Sequence, residues 1–151
     1  MKIYLATDHA AFELKEELKE YLQKEGFEVE DCGAFSYDKD DDYPDFIKVA
    51  AQKVAQNPGT FGVVFGKSGQ GEQIAANKVK GVRAALGFNE ENVRLAREHN
   101  NANVLSLGFD FVPFEKAKRL IKLFINTPFT NEERHVRRIN KITEIENHKY
   151  V

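Results

Sequence analysis

The sequence predicts an α/β domain in which five parallel strands form one sheet between layers of helices, with a further helix appended at the C-terminus. Three observations lead there. Short apolar runs alternate with longer segments whose apolar residues recur at helical spacing. One run, Phe61-Gly-Val-Val-Phe65, is apolar throughout, as a strand buried on both faces has to be. The length, 151 residues, suits one domain with its own core and is short for two.

Taken in order, Lys2-Ile-Tyr-Leu-Ala-Thr7 reads as the first strand and ends at Asp8-His9. Phe12, Leu14, Leu18, Tyr21 and Leu22 mark a helix that Gly26 closes, and Phe27 to Asp31 reads as the second strand. An acidic stretch through Asp38 and Asp40-Asp41-Asp42 reads as a solvated loop whose charge serves solubility. Tyr43-Pro44 opens a helix that runs to Asn57-Pro58-Gly59. After the apolar third strand and a glycine-rich turn come a helix from about Gly71 to Lys78, a strand Val82 to Leu86, a helix Glu90 to Glu98, a strand Asn103 to Leu107 and a helix Phe114 to Asn126. This alternation implies right-handed crossovers and a parallel sheet covered on both faces, a Rossmann-like three-layer sandwich. The tail breaks the rhythm. Thr130-Asn-Glu-Glu133 has the form of a capping box opening a long polar helix, and its stripe of Ile139, Ile142 and Ile145 is thin. Such a stripe needs another surface to cover it, so residues 129–151, an extension of the body 1–128 within the same domain, are expected to pack on a partner subunit.

Composition excludes several classes. Lysine and arginine number 22 against 24 aspartates and glutamates, a net charge of −2, which argues against nucleic acid or an anionic membrane as partner. No apolar run is long enough to span a bilayer. The single cysteine, Cys32, cannot form an internal disulfide, and no charged-then-apolar leader is present, so the reducing cytoplasm is the expected compartment.

In an open parallel sheet, ligands bind outside the carboxyl ends of the strands, where the strand order reverses. The loops to inspect are therefore Asp8-His9, the segment Gly66-Lys67-Ser68-Gly69-Gln70-Gly71-Glu72, Phe88-Asn89, and Gly108-Phe109-Asp110. The glycine segment joins a buried strand to a helix, so its N–H groups can converge on an anion that the helix dipole also favours. The plainer alternative is a tight turn needing glycine for positive φ. A nucleotide P-loop is disfavoured because the glycine required five positions before Gly66 is Phe61, and a dinucleotide fingerprint because Ile74 stands where glycine or alanine is wanted. Glu72 lies in the first turn of the following helix, where the dipole favours its carboxylate. A carboxylate beside N–H donors suits enolisation, in which a base removes a proton next to a carbonyl while donors hold the enediolate oxygen. Apolar enclosure would have to offset the lowering of its basicity by the helix end. A surface glutamate complementing the dipole is the plainer reading. Asp8 and His9 offer a carboxylate and an imidazole at a strand end, and His99 follows a helix. Arg134, Arg137, Arg138 and Lys141 share one helical face, suited to phosphate or simply solvated.

Five motifs in this order resemble ribose-5-phosphate isomerase type B: Thr7-Asp8-His9-Ala10, Asp41-Asp42-Tyr43-Pro44, Gly66 through Lys78, Arg97 through Ala102, and Arg134-His-Val-Arg-Arg138. The resemblance covers nearly the whole chain, and the family also includes galactose-6-phosphate isomerase subunits. Many members carry a cysteine base at the place of Gly66; this chain resembles the branch with glutamate after the glycine loop, at Glu72. The resemblance implies that His99, helped by Asp8, opens the furanose ring, and that Glu72 moves a proton from C2 to C1 through a cis-enediolate. The amides of Ser68, Gly69, Gln70 and Gly71 and the Ser68 hydroxyl would hold the enediolate oxygen. Tyr43 and Asn100 would position the sugar; His9, Arg134 and Arg138 would hold the phosphate. It implies no metal or organic cofactor, and a homodimer or homotetramer with a site shared between subunits. Two departures stand out. After Gly108 the family usually has a phosphate-binding arginine, where this chain has Phe109-Asp110, and Lys67 replaces a common glycine, so its ammonium is expected to compensate. The rival expectations are isomerisation of another sugar, such as allose 6-phosphate or galactose 6-phosphate, and a non-catalytic sugar-phosphate binder.

Overall fold

The computed structural model describes residues 1–148; the last three residues of the expected tail segment lie outside them. The elements follow in the order β1 (Lys2–Thr7), α1 (Phe12–Lys24), β2 (Glu28–Asp31), α2 (Pro44–Gln56), β3 (Phe61–Gly66), α3 (Gln70–Asn77), β4 (Ala84–Leu86), α4 (Glu90–Asn100), β5 (Val104–Gly108), α5 (Phe114–Asn126) and α6 (Glu133–Glu146). Every strand pair is parallel and the sheet order is β2-β1-β3-β5-β4, the expected five-stranded Rossmann-like architecture.

Side chains alternate across the sheet, and that alternation builds two cores. Ile3, Leu5, Val63, Phe65, Leu105 and Leu107 pack with Leu14, Leu18 and Leu22 of α1, Val93 of α4 and Leu120, Ile121 and Phe124 of α5. Tyr4, Ala6, Val64 and Val104 face Ile47, Ala50, Ala51 and Val54 of α2 and Ala76 of α3. The leucines of α1 recur every four residues, which stacks them on one helix face. Burying each such leucine stabilises the fold by about 1.5–3 kcal/mol.

Four local features differ from the sequence reading. β4 starts at Ala84 rather than Val82, because the Val82 N–H donates to the Val79 carbonyl in a turn. The Asn77 amide then takes the place of a neighbouring strand for Ala84, with its oxygen accepting from Ala84 N (2.8 Å) and its nitrogen donating to Ala84 O (3.0 Å). α4 continues through His99 to Asn100 and stops at Asn101, whose φ of 46° is left-handed, so His99 lies inside the helix rather than after it. The capping box at Thr130 does not form. Both the Thr130 N–H (3.2 Å) and hydroxyl (2.9 Å) donate to the Glu98 carbonyl, tying the tail to α4, and α6 opens at Glu132 without a side-chain cap. Finally, a 3-10 turn at His9–Ala11 separates β1 from α1, with the Asp8 carboxylate accepting from Ala10 N at 3.0 Å.

Candidate active site

From β1 the chain moves to β2 on one side and later to β3 on the other, so the strand order reverses between β1 and β3, and their carboxyl ends are where this architecture binds ligands. Two buried hydroxyl side chains knit the strands and the glycine loop together on this side of the sheet. The Thr7 hydroxyl donates to the Phe65 carbonyl (2.9 Å), joining β1 to β3, and the Ser106 hydroxyl donates to the Gly69 carbonyl (2.6 Å), joining β5 to the glycine loop. The loop is tied down further by Phe109 N donating to Gly66 O (2.7 Å) and Asp110 N to Lys67 O (3.0 Å). Gly108 admits this approach because a Cβ there would collide with the Ser68 carbonyl, and Gly69 turns the chain into α3 at a φ of 81°.

Glu72 occupies the first turn of α3 and is 5 % exposed. Gly66, at the end of β3, faces the same layer as Val64, and a Cβ on it would fall within the Glu72 carboxylate. The acid therefore lies directly over the Gly66 backbone, turned inward. Burial pushes its pKa up, its own backbone N–H pulls it down, and the charge of Asp8 raises it again. Enclosure thus offsets the helix end, as the sequence reading required. The backbone amides opening α3 lack intrahelical partners by geometry, and Gln70 N makes only a long contact, 3.3 Å, with the Ser68 hydroxyl. The Tyr43 ring closes one wall: a Cβ on Gly71 would be 2.5 Å from its hydroxyl. Lys67 and Gln70 are exposed at the rim.

His9 stands at the rim, but its partner is not the adjacent Asp8, whose Oδ2 is 4.0 Å from Nδ1. Instead Asp41 Oδ1 meets both His9 Nδ1 (2.6 Å) and His9 N (3.1 Å). This corrects the reading of the acidic stretch as a solvated loop: Asp38, Asp40 and Asp42 are exposed, whereas the Asp41 side chain is 9 % exposed. Asp8, His9 and Asp41 bring ligand atoms within 4.8 Å of one another, the one cluster of metal-ligating type among the described residues. Cys32 is buried in the α2 core, and burial pushes its thiol up to about 11, which rules out a ready thiolate.

The remaining expected residues lie elsewhere in the chain. α4 returns from the carboxyl end of β4 to the amino end of β5, so His99 and Asn100 sit at the opposite end of the sheet from Glu72. The His99 ring stacks on His135 of α6, with centroids 4.4 Å apart and planes at 16°. His135, missed in the sequence reading, is buried with its Nε2 unpaired among the described residues, and burial and neighbouring positive charge lower its pKa. Arg134 and Arg138 are exposed on the same helix, and Arg134 pairs with Glu132 at 3.1 Å. A groove of about 1180 Å³ runs along the sheet edge at β4, lined among others by Phe88, His99, Asn100, Ile142 and Ile145. Within one chain the expected residues therefore fall into two groups: Asp8, His9, Tyr43, the glycine loop and Glu72 at one end, His99, Asn100 and the arginines at the other.

The sequence model of a family described as Ribose/Galactose Isomerase matches residues 3–142. Ribose-5-phosphate isomerase B of Mycobacterium leprae is 47% identical over 146 residues, covering 97% of this chain and 90% of that one. The solved structure of ribose-5-phosphate isomerase B from Clostridium thermocellum matches with a TM-score of 0.93 at 39% identity, covering 98% of this chain and 99% of that chain. That of the Mycoplasma genitalium protein with bound ribulose-5-phosphate matches with a TM-score of 0.91 at 41% identity, covering 97% of this chain and 96% of that chain. Agreement of this extent in both sequence and backbone assigns the chain to the Ribose/Galactose Isomerase family.

Proposed function

We propose that the chain is a cytoplasmic aldose–ketose isomerase that interconverts ribose 5-phosphate and ribulose 5-phosphate through a cis-enediolate. The observation that carries this reading is the Glu72 carboxylate, enclosed over Gly66 at the amide-lined opening of α3. There a carboxylate can take the C2 proton of the linear aldose and return it to C1, while the electron pair moves through the enediolate and the proton on the C2 hydroxyl passes to the C1 oxygen. The loop amides and the Ser68 hydroxyl hold the developing oxyanion. Tyr43, packed on Gly71, orients the sugar. Ring opening needs a second acid–base group, and we assign it to the partner subunit's His99, acting with Asp8. The partner subunit's Asn100, Arg134 and Arg138 complete the sugar and phosphate contacts beside His9. The separation of the two half-sites within one chain and the exposed apolar lining of the β4 groove support a homo-oligomer of this kind.

The test is isomerisation of ribose 5-phosphate, ribulose 5-phosphate, allose 6-phosphate and galactose 6-phosphate in parallel. Wild-type protein should favour the five-carbon pair and exchange solvent deuterium into C1 or C2. Glu72→Gln should lower turnover by about 10²–10⁴-fold with ligand affinity retained. Preference for a six-carbon ester would change the substrate, failure of all four to exchange deuterium would leave a binding protein, and substantial residual turnover in Glu72→Gln would mean that another group is the base.

A further inference from the structure

We propose that Asp41 is a positioning residue that keeps His9 charged and aimed, so that the imidazole meets the substrate's phosphate as an N–H donor at neutral pH. This rests on the reading of His9 as a phosphate contact.

The geometry is specific. One oxygen, Asp41 Oδ1, accepts from both the backbone N–H (3.1 Å) and ring Nδ1 (2.6 Å) of His9, which fixes the ring relative to its own main chain. The other, Asp41 Oδ2, is buried and meets no donor among the described residues. A carboxylate enclosed with an empty lone pair is costly unless its charge serves a neighbour, and the neighbour is His9. Asp8 cannot take this part, since its Oδ1 accepts from Ala10 N and its Oδ2 lies 4.0 Å from the ring.

With Nδ1 committed to Asp41, Nε2 is the nitrogen left for an incoming group. A neutral ring protonated at Nδ1 turns the Nε2 lone pair toward an anion and repels it; a charged ring turns an N–H toward it. The protonation state of His9 therefore decides the sign of the contact. Asp8 on its own turn and Asp38 and Asp41 on the loop before α2 face the ring, and the Tyr37 ring meets it edge-on at 6.2 Å. Glu72, from α3, faces Asp8. The hydrogen bond to Asp41 raises the His9 pKa, partial burial opposes it, and the charges of Asp8, Asp41 and Asp38 raise it further.

The experiment compares wild type with Asp41→Asn, which keeps the shape and removes the charge. Histidine titrations by NMR, with the His9 signal assigned by its loss in His9→Gln, should show His9 in Asp41→Asn titrating about one unit lower. The KM for ribose 5-phosphate relative to wild type should rise about tenfold near pH 8, converge toward wild type near pH 6, where protonation no longer needs Asp41, and leave kcat within about threefold. Taking the ratio cancels the titration of the substrate phosphate itself. If Asp41→Asn does not fold, wild type against His9→Gln decides: the variant KM should no longer respond to pH above 6 as wild type does. An unmoved His9 titration, or a KM ratio that is flat with pH, overturns the proposal. Absence of isomerisation by wild type would instead overturn the functional reading, and the NMR titration would still judge the Asp41–His9 pair.

Discussion

Glu72 and Gly66 constrain each other. The carboxylate fills the space that a side chain at 66 would claim, so a base on α3 and a side chain at the end of β3 exclude one another. Gly66→Ala should displace the carboxylate by an ångström or more and lower kcat by about 10²-fold, the usual cost of a misplacement of that size. Retention of full activity would mean that the enclosed carboxylate position is not the working one. The same enclosure shapes the pH profile. Burial raises the Glu72 carboxyl above its ordinary value of 4.5, and Asp8 adds to the effect. Proton abstraction requires the carboxylate, so kcat should fall as the pH drops through the raised value, with an acid limb above 4.5. A limb at or below 4.5 would point to a solvated acid. Sign and stability agree: a carboxyl raised on folding is favoured protonated, so its burial costs stability above its folded pKa and nothing below its unfolded one. Glu72→Gln should therefore raise the melting temperature by a few degrees at pH 7 and lose that advantage in acid.

At the level of elements, the loops after β3 and β5 behave as one unit. Gly66 O and Lys67 O accept from the amides of Phe109 and Asp110, and the Ser106 hydroxyl holds the Gly69 carbonyl. Lys67 is thereby tethered beside Asp110 at the rim, both exposed. An ammonium held there can offset a carboxylate that would repel a phosphate. Lys67→Ala should raise the KM for ribose 5-phosphate about tenfold, and Asp110→Asn in that background should recover part of it; unchanged KM in Lys67→Ala would remove the lysine from the site. The strand–helix alternation and the glycine loop were legible in the sequence because period-2 and period-3.6 apolar patterns report which face is buried, and so was the place of Glu72 in the first turn of the helix after that loop. Asp41 was not, because a run of like charges looks solvated until the fold turns one of them back onto β1. Ser106 and Thr7 carried the faint signal of a hydroxyl within an apolar strand. The end of α4 was misplaced because Asn101 stops it by adopting a left-handed conformation, which glycine would have announced and asparagine did not.

At the scale of the whole molecule, topology decides which of the expected residues can meet within one chain. In a parallel sheet each crossover helix starts at the carboxyl edge and ends at the amino edge, so residues early in α3 and late in α4 cannot meet within one chain. A two-fold axis beside the β4 edge would bring one subunit's α4–α6 end to the other's glycine loop and bury Ile142 and Ile145, which are 46% and 55% exposed in the single chain. A site shared in the proposed way has two genetically separable halves. Glu72→Gln damages one half-site and His99→Asn the other, so each pure variant should be nearly inactive. Unfolded together and refolded as a mixture, they should form heterodimers in which one of the two sites carries both intact residues. With random pairing, half of the dimers are mixed and half of their sites are whole, so activity should return to about a quarter of the wild-type level. No recovery beyond the sum of the two pure variants, with mixed dimers demonstrated by native mass spectrometry, would place Glu72 and His99 in the same chain's site and overturn the shared arrangement.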